Sequence, residues 1–133
     1  MTSYHMDNAV AFILGLLRKM TIGHDTAEMM KTRAGFIRFA SAPQLLYSLS
    51  HWKSTSQLIE DLKIDYDGGD GANIKAAIRL AAANFRRLEH RPGVKKVIVI
   101  LASSEHEENV YIEARKEAEK FKANGGEIVT IGR

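Results

Sequence analysis

The sequence predicts an α/β fold: an open sheet with helices on both faces, in one domain over residues 1–133. Three observations carry that expectation. Residues 97–102 (VIVILA) and 127–131 (EIVTI) are short apolar runs on either side of a helical stripe, Val110, Ala114, Ala118 and Phe121. A strand, a helix and a strand in that order cross over right-handed and pair in parallel. Upstream, two further segments repeat apolar residues at three- and four-residue spacing, so helices are available to layer on such a sheet. Finally, 45% of the 133 residues are hydrophobic and only two are proline, which suits a packed core rather than disorder.

The elements follow in order. Residues 7–20 form the first helix, with Val10, Ile13, Leu14 and Leu17 on one stripe and Asp7 placed to cap it. Gly23 breaks that helix and suits a left-handed turn, and residues 26–31 read as loop. Residues 34–40 (AGFIRFA) and 45–49 (LLYSL) flank Ser41-Ala42-Pro43 and read as a hairpin, with Leu45, Tyr47 and Leu49 on one face. Ser54 and Gln57 make the S-x-x-Q of a capping box ahead of Leu58 and Leu62. The turn-rich residues 65–71 (DYDGGDG) lead into a helix with Ile74, Ala77, Ile78, Ala81 and Phe85 on one stripe. After Arg91-Pro92-Gly93 comes the strand 97–102, apolar enough to be covered on both faces. Residues 103–109 leave its C-terminal end, the last helix follows, and Asn124-Gly125-Gly126 ends it before the strand 127–131.

Composition excludes several classes of function. There is no Cys, hence no disulfide, thiolate zinc site or cysteine nucleophile within the chain. The 19 basic and 16 acidic residues leave a net charge of +3 and are interleaved. A nucleic-acid footprint is a clustered basic patch, so no nucleic-acid partner is expected. The longest apolar run, residues 9–17, is well short of the roughly 20 residues a membrane-crossing helix needs, and no membrane insertion is expected. Asp7 before that run and Arg18-Lys19 after it reverse the charge order of a secretory signal, so no signal peptide is expected in this chain.

Two loops concentrate the chemistry-bearing residues. Asp65, Asp67 and Asp70 offer oxygens to a cation such as Ca²⁺ but lack the longer register and terminal Glu of an EF-hand. A solvated turn rich in Asp and Gly accounts for the same residues. Ser103, Ser104, Glu105, His106, Glu107 and Glu108 follow a strand at its C-terminal end, where open α/β sheets place ligands. A relocated weak cation site is one reading of them, and a surface loop whose acids favour the start of the next helix is the simpler one. Gly68-Gly69-Asp70-Gly71 could present N–H groups to a phosphate. However, no G-x-G-x-x-G or Walker pattern is present, and Asp70 repels an anion. Glycine for a tight turn is the simpler explanation. Ser103, His106 and Glu107 do not make a triad, whose members come from separated elements. No catalytic residue is assigned and the chain is not expected to be an enzyme. Trp52, between His51 and Lys53, reads as a packing anchor, with an exposed binding hot spot as the alternative.

Residues 32–40 (TRAGFIRFA) resemble the second strand of a von Willebrand factor type A domain, commonly (T)-R-V-G-x-V-x-F-S. The resemblance continues through residues 45–49, the Gly-Gly loop and helix at 68–78, residues 92–101 (PGVKKVIVIL) and residues 124–132 (NGGEIVTIG). It spans nearly the whole chain in the right order. The resemblance implies a Rossmann-like open sheet and a module that binds partners through a divalent cation in a metal-ion-dependent adhesion site. That site takes an Asp-x-Ser-x-Ser loop after the first strand, a Thr in the Gly-Gly loop and an Asp after the fourth strand. Hydroxyls and carboxylates suit a hard cation, and an acidic group of the partner completes the shell.

None of the three positions matches. No Asp-x-Ser-x-Ser occurs near residues 1–8, Ala72 stands where the Thr would be, and Ser103 stands where the Asp would be. The resemblance also implies that the first, central strand of the sheet is missing, between residues 34–40 and 97–102, and that the chain is truncated at both ends. The expectation is therefore a degenerate, metal-independent, non-catalytic module for protein–protein recognition or adhesion, with no cofactor. Weak Mg²⁺ or Ca²⁺ binding by the acidic loops stays open as an alternative. By fold analogy the contact surface is Gly69, Asp70, Asn73, Ser103, Ser104 and Glu105. The resemblance suggests an extracellular setting. Two other readings stand beside this one: a small-ligand or phosphate-binding α/β module, in which the Gly-rich loop and Ser103-Ser104 hold an anion, and an inactive fragment of a longer secreted adhesion protein.

Overall fold

Short polar side chains and glycines decide where the helices start and stop. The computed structural model describes residues 3–26, 30–39, 42–64, 73–87, 93–102 and 108–132. Its elements are α1 (Ser3–Leu17), β1 (Phe36–Phe39), β2 (Pro43–Tyr47) and α2 (Thr55–Asp61), then α3 (Ile74–Phe85), β3 (Val97–Ala102), α4 (Glu108–Ala123) and β4 (Glu127–Gly132). Ser54 caps α2, its hydroxyl accepting from the Gln57 N–H at 3.0 Å, as the S-x-x-Q spacing predicts. Gln57 closes the box one residue early, because its Oε1 accepts from the Lys53 N–H at 2.8 Å. At the end of α4 the Gly126 N–H donates to the Phe121 carbonyl at 3.1 Å and the Gly125 N–H to the Lys122 carbonyl at 3.0 Å. This is a Schellman cap, and Gly125, at φ 91°, adopts the left-handed conformation that glycine takes freely.

Two sets of boundaries differ from the sequence expectation. α1 begins at Ser3, so Asp7 lies inside the helix instead of capping it. The apolar stripe marks only the part of a helix that has something to pack against. α1 ends at Leu17, where the Lys19 and Met20 N–H groups close tighter turns onto the Leu16 and Leu17 carbonyls at 3.3 and 3.0 Å. β2 spans Pro43–Tyr47 rather than residues 45–49. Pro43 takes the first strand position, where proline is tolerated, and Leu49 falls in the turn beyond.

The chain divides into two compact units. The first comprises Met1–Phe36 and Leu46–Gly68. Its core is Leu17, Ile22, Phe36, Trp52, Leu58 and Leu62, with Val10, Ile13 and Leu14 of α1 packed against it. Trp52 is 2% exposed, which makes it a packing anchor. Phe36 meets it edge-on with ring centroids 6.4 Å apart, and Tyr47 is tilted against it at 4.7 Å. Thr55 ties the end of α1 to the start of α2: its Oγ1 donates to the Met20 carbonyl at 2.8 Å and accepts from the Ile22 N–H at 2.9 Å. Beside this knot Gly23 has φ 150°, and a Cβ there would stand 2.6 Å from the Lys53 carbonyl oxygen. Only glycine fits.

The second unit comprises Ile37–Leu45 and Gly69–Arg133. β3 and β4 pair in parallel, in register from Val97–Glu127 to Ala102–Gly132, with α4 as the predicted crossover. Ile74 and Ile78 of α3 and Ala114 of α4 form a buried cluster, against which Phe39, Ile98, Ile100 and Ala118 pack. Phe121 is buried and stacks on Phe85 at 5.7 Å. The other face of the strand pair is more open than full coverage would leave it: Val97, Val99 and Val129 keep 41%, 40% and 46% exposure. Pairing forms two separate two-stranded sheets, β1 with β2 and β3 with β4. Residues 37–39 of β1 share the second unit with β3, yet no ladder among the described residues joins the two strands.

Candidate functional site

Of the residues expected to form a contact surface, Gly69, Asp70, Ser103, Ser104 and Glu105 lie outside the described residues, as does Ala72. Asn73 is described, and it is the N-cap of α3. Its Oδ1 accepts the Ala76 N–H at 3.1 Å, the local role for which Asn is favoured. The elements that flank the two loops converge. Ile74, the first residue of α3, and Ile100, near the end of β3, belong to the same apolar cluster. Because β3 and β4 are parallel, their C-terminal ends share one edge, the edge at which open α/β sheets present binding loops. The partial positive charge of the α3 N-terminus adds to that edge. Among the described residues no group of three or more His, Asp or Glu side chains could hold a metal ion. The acids of residues 65–71 and 103–107 lie outside that set.

The strongest electrostatic feature of the second unit is structural. Arg79 Nε on α3 donates to Glu117 Oε1 on α4 at 2.8 Å, and Lys120 Nζ stands 3.7 Å from the same oxygen. The Arg79 hydrogen bond holds the Glu117 carboxyl below its ordinary range. Burial opposes that effect, and the charges of Arg79, Lys120 and Lys75 add to it. This pair clasps the two helices together.

Sequence reasoning passed over three features. Thr55 gave no signal, since its partners Met20 and Ile22 are more than thirty positions away. The Arg79–Glu117 pair is equally non-local. The outward face of α1 did leave a trace: Phe12 and Leu16 stand off the predicted stripe and are 48% and 40% exposed. No helix among the described residues is long and apolar enough to cross a membrane.

Comparison with known proteins places this geometry. The family model for the von Willebrand factor type A domain matches residues 1–133. Integrin alpha-2 of Bos taurus is 29% identical over 105 residues, 77% of this chain and 9% of that protein. Proximal thread matrix protein 1 from the mussel byssus, a solved structure, matches with a TM-score of 0.65 at 21% identity, over 98% of this chain and 30% of that one. That likeness concerns the fold alone. The chain thus spans less than a third of either relative. Matched along all 133 residues, and closing on a parallel β3–α4–β4 unit, the chain belongs to the von Willebrand factor type A domain family.

Proposed function

We propose that the chain is a metal-independent, non-catalytic recognition module that binds a protein partner in an adhesive, extracellular setting. The carrying observation is a family match over the whole chain combined with Ala72 and Ser103 at two positions where the family's cation would need oxygen ligands. An alanine methyl supplies no ligand atom. A hydroxyl in place of a carboxylate removes the charge that holds a hard cation. The integrin relative supports the adhesive, extracellular part of this reading. The binding surface is the loop edge at the C-terminal ends of β3 and β4, with Gly69, Asp70, Asn73, Ser103, Ser104 and Glu105.

The test is solid-phase binding of the chain to a panel of purified extracellular-matrix proteins, in Mg²⁺ and in EDTA, beside the loop variant S104R/E105R. The expected result is binding to at least one of them that EDTA leaves intact and the loop variant abolishes, without loss of thermal stability. Binding that disappears in EDTA, or that ignores the variant, contradicts the proposal.

A further inference from the structure

α3 holds no acidic residue, and cations gather on one of its flanks. Arg79 and Arg86 stand four and eleven positions after Lys75. At about 100° per residue that keeps the three within about 40° of one another, along about 16 Å of helix. The flank faces α4, because Arg79 Nε donates to Glu117 Oε1 at 2.8 Å. On α4, Lys116 and Lys120 stand four apart beside that carboxylate, and Lys120 Nζ is 3.7 Å from the same oxygen. Two acids lie among these cations. The Glu117 side chain is 11% exposed and already shared between Arg79 and Lys120, and the charge of Lys75 also acts on it. Glu113, one turn earlier on the same flank of α4, is the other. The α3–α4 seam therefore presents a surplus of positive charge to solvent, although basic and acidic residues are interleaved along the sequence.

We propose that this seam binds a linear sulfated polysaccharide. Helix stability does not account for the surplus. Cations are favoured at helix C-termini, which suits Arg86 and Lys120, but Lys75 sits in the first turn of α3 and Arg79 near its middle. A cation in the first turn opposes the helix dipole. A basic cluster of this kind draws polyanions. The Arg79–Glu117 and Phe85–Phe121 contacts advance in the same direction along both helices, so the cations form a row between two parallel helices. Such a row matches a chain that carries sulfates at intervals, and the planar fork of arginine suits an oxyanion. Single-stranded nucleic acid binds by stacking its bases on aromatic side chains as well. The rings at this end of the seam, Phe85 and Phe121, stack on each other instead. The choice of a glycan also rests on the extracellular setting proposed above. The place of the site does not, since it uses none of the loop residues. Arg79, Arg86, Lys116 and Lys120 are exposed, so the binding weakens as salt rises.

Calorimetric titration of the full 133-residue chain with a heparin oligosaccharide, at low and at physiological salt, tests the site beside a single-stranded DNA oligonucleotide of equal charge. The expected result is salt-sensitive heparin binding that is tighter than DNA binding. The double variant R86E/K116E reverses two exposed charges of the row and should weaken heparin binding about tenfold or more. R115E/K122E makes the same change in net charge on the other flank of α4. It should stay within about twofold of the parent, because charges away from the row are screened. Glu113→Gln removes an acid from the seam and should tighten binding, a gain that unfolding does not produce. All three variants should melt with the parent by circular dichroism. A chain that ignores heparin at low salt overturns the proposal, even if its protein binding at the loop edge survives. DNA binding as tight as heparin binding overturns it as well. So does an equal loss in both double variants, which would mean attraction by net charge alone, or a Glu113→Gln protein that binds no tighter.

Discussion

At the scale of single residues, Trp52 shows how much of the first unit's core rests on one side chain. Its indole is buried among Phe36, Tyr47 and His51. Its Nε1–H nevertheless finds no hydrogen-bond partner among the described residues. An orphaned buried donor costs about 1–3 kcal/mol, which offsets part of what the large apolar ring contributes. Trp52→Phe removes the orphan together with some volume, so the two effects oppose each other. We expect it to change unfolding free energy by no more than about 1.5 kcal/mol, against about 3–5 kcal/mol lost in Trp52→Ala. Urea denaturation of the three proteins measures both. A Phe variant as damaged as the Ala variant would mean that the indole N–H is satisfied after all. The anchoring role was legible because a lone Trp between a hairpin and a capped helix has a core within reach. The missing partner was not legible, since it depends on residues distant in sequence. Asn73 caps α3, a local role that fixes where the helix starts beside the proposed contact surface.

At the scale of elements, the α3–α4 clasp makes the clearest prediction. The Glu117 carboxyl is held below its ordinary value, first by the Arg79 hydrogen bond. A carboxylate whose folded pKa is depressed stabilises the fold fully above its unfolded pKa. That contribution fades as pH falls below the unfolded value and is gone below the folded one. Glu117→Gln should therefore melt below the parent protein at neutral pH, and the gap should close as pH drops through the acidic range. A gap that persists unchanged in acid would show that the clasp acts through shape and neutral hydrogen bonding instead of charge. β3, α4 and β4 were legible because a continuous apolar run and a 3.6-residue stripe are strong local signals. The hairpin shifted because Pro43 reads as turn chemistry while the first position of a strand tolerates it equally well. α1 was read by one stripe, although Ala11, Phe12 and Leu16 had already made its other side apolar.

At the scale of the whole molecule, order along the chain carried more information than any single motif. Each segment resembling the family is weakly specific, yet their sequence of appearance agrees with a family match over residues 1–133. Among the described residues the β1–β2 and β3–β4 pairs form separate two-stranded sheets. The loops proposed for contact, outside the described residues, are read from composition and position alone, because loop geometry is set by the elements around it and not by local periodicity. Cation independence is the central claim, resting on Ala72 and Ser103, and calorimetric titration of the chain with Mg²⁺ and with Mn²⁺ tests it most directly, paired with thermal melting in each ion and in EDTA. A ligand that binds only the native state raises its melting temperature by mass action. The account predicts no saturable heat and superimposable melts. A saturable binding isotherm together with a melting temperature several degrees higher in Mg²⁺ than in EDTA would contradict it.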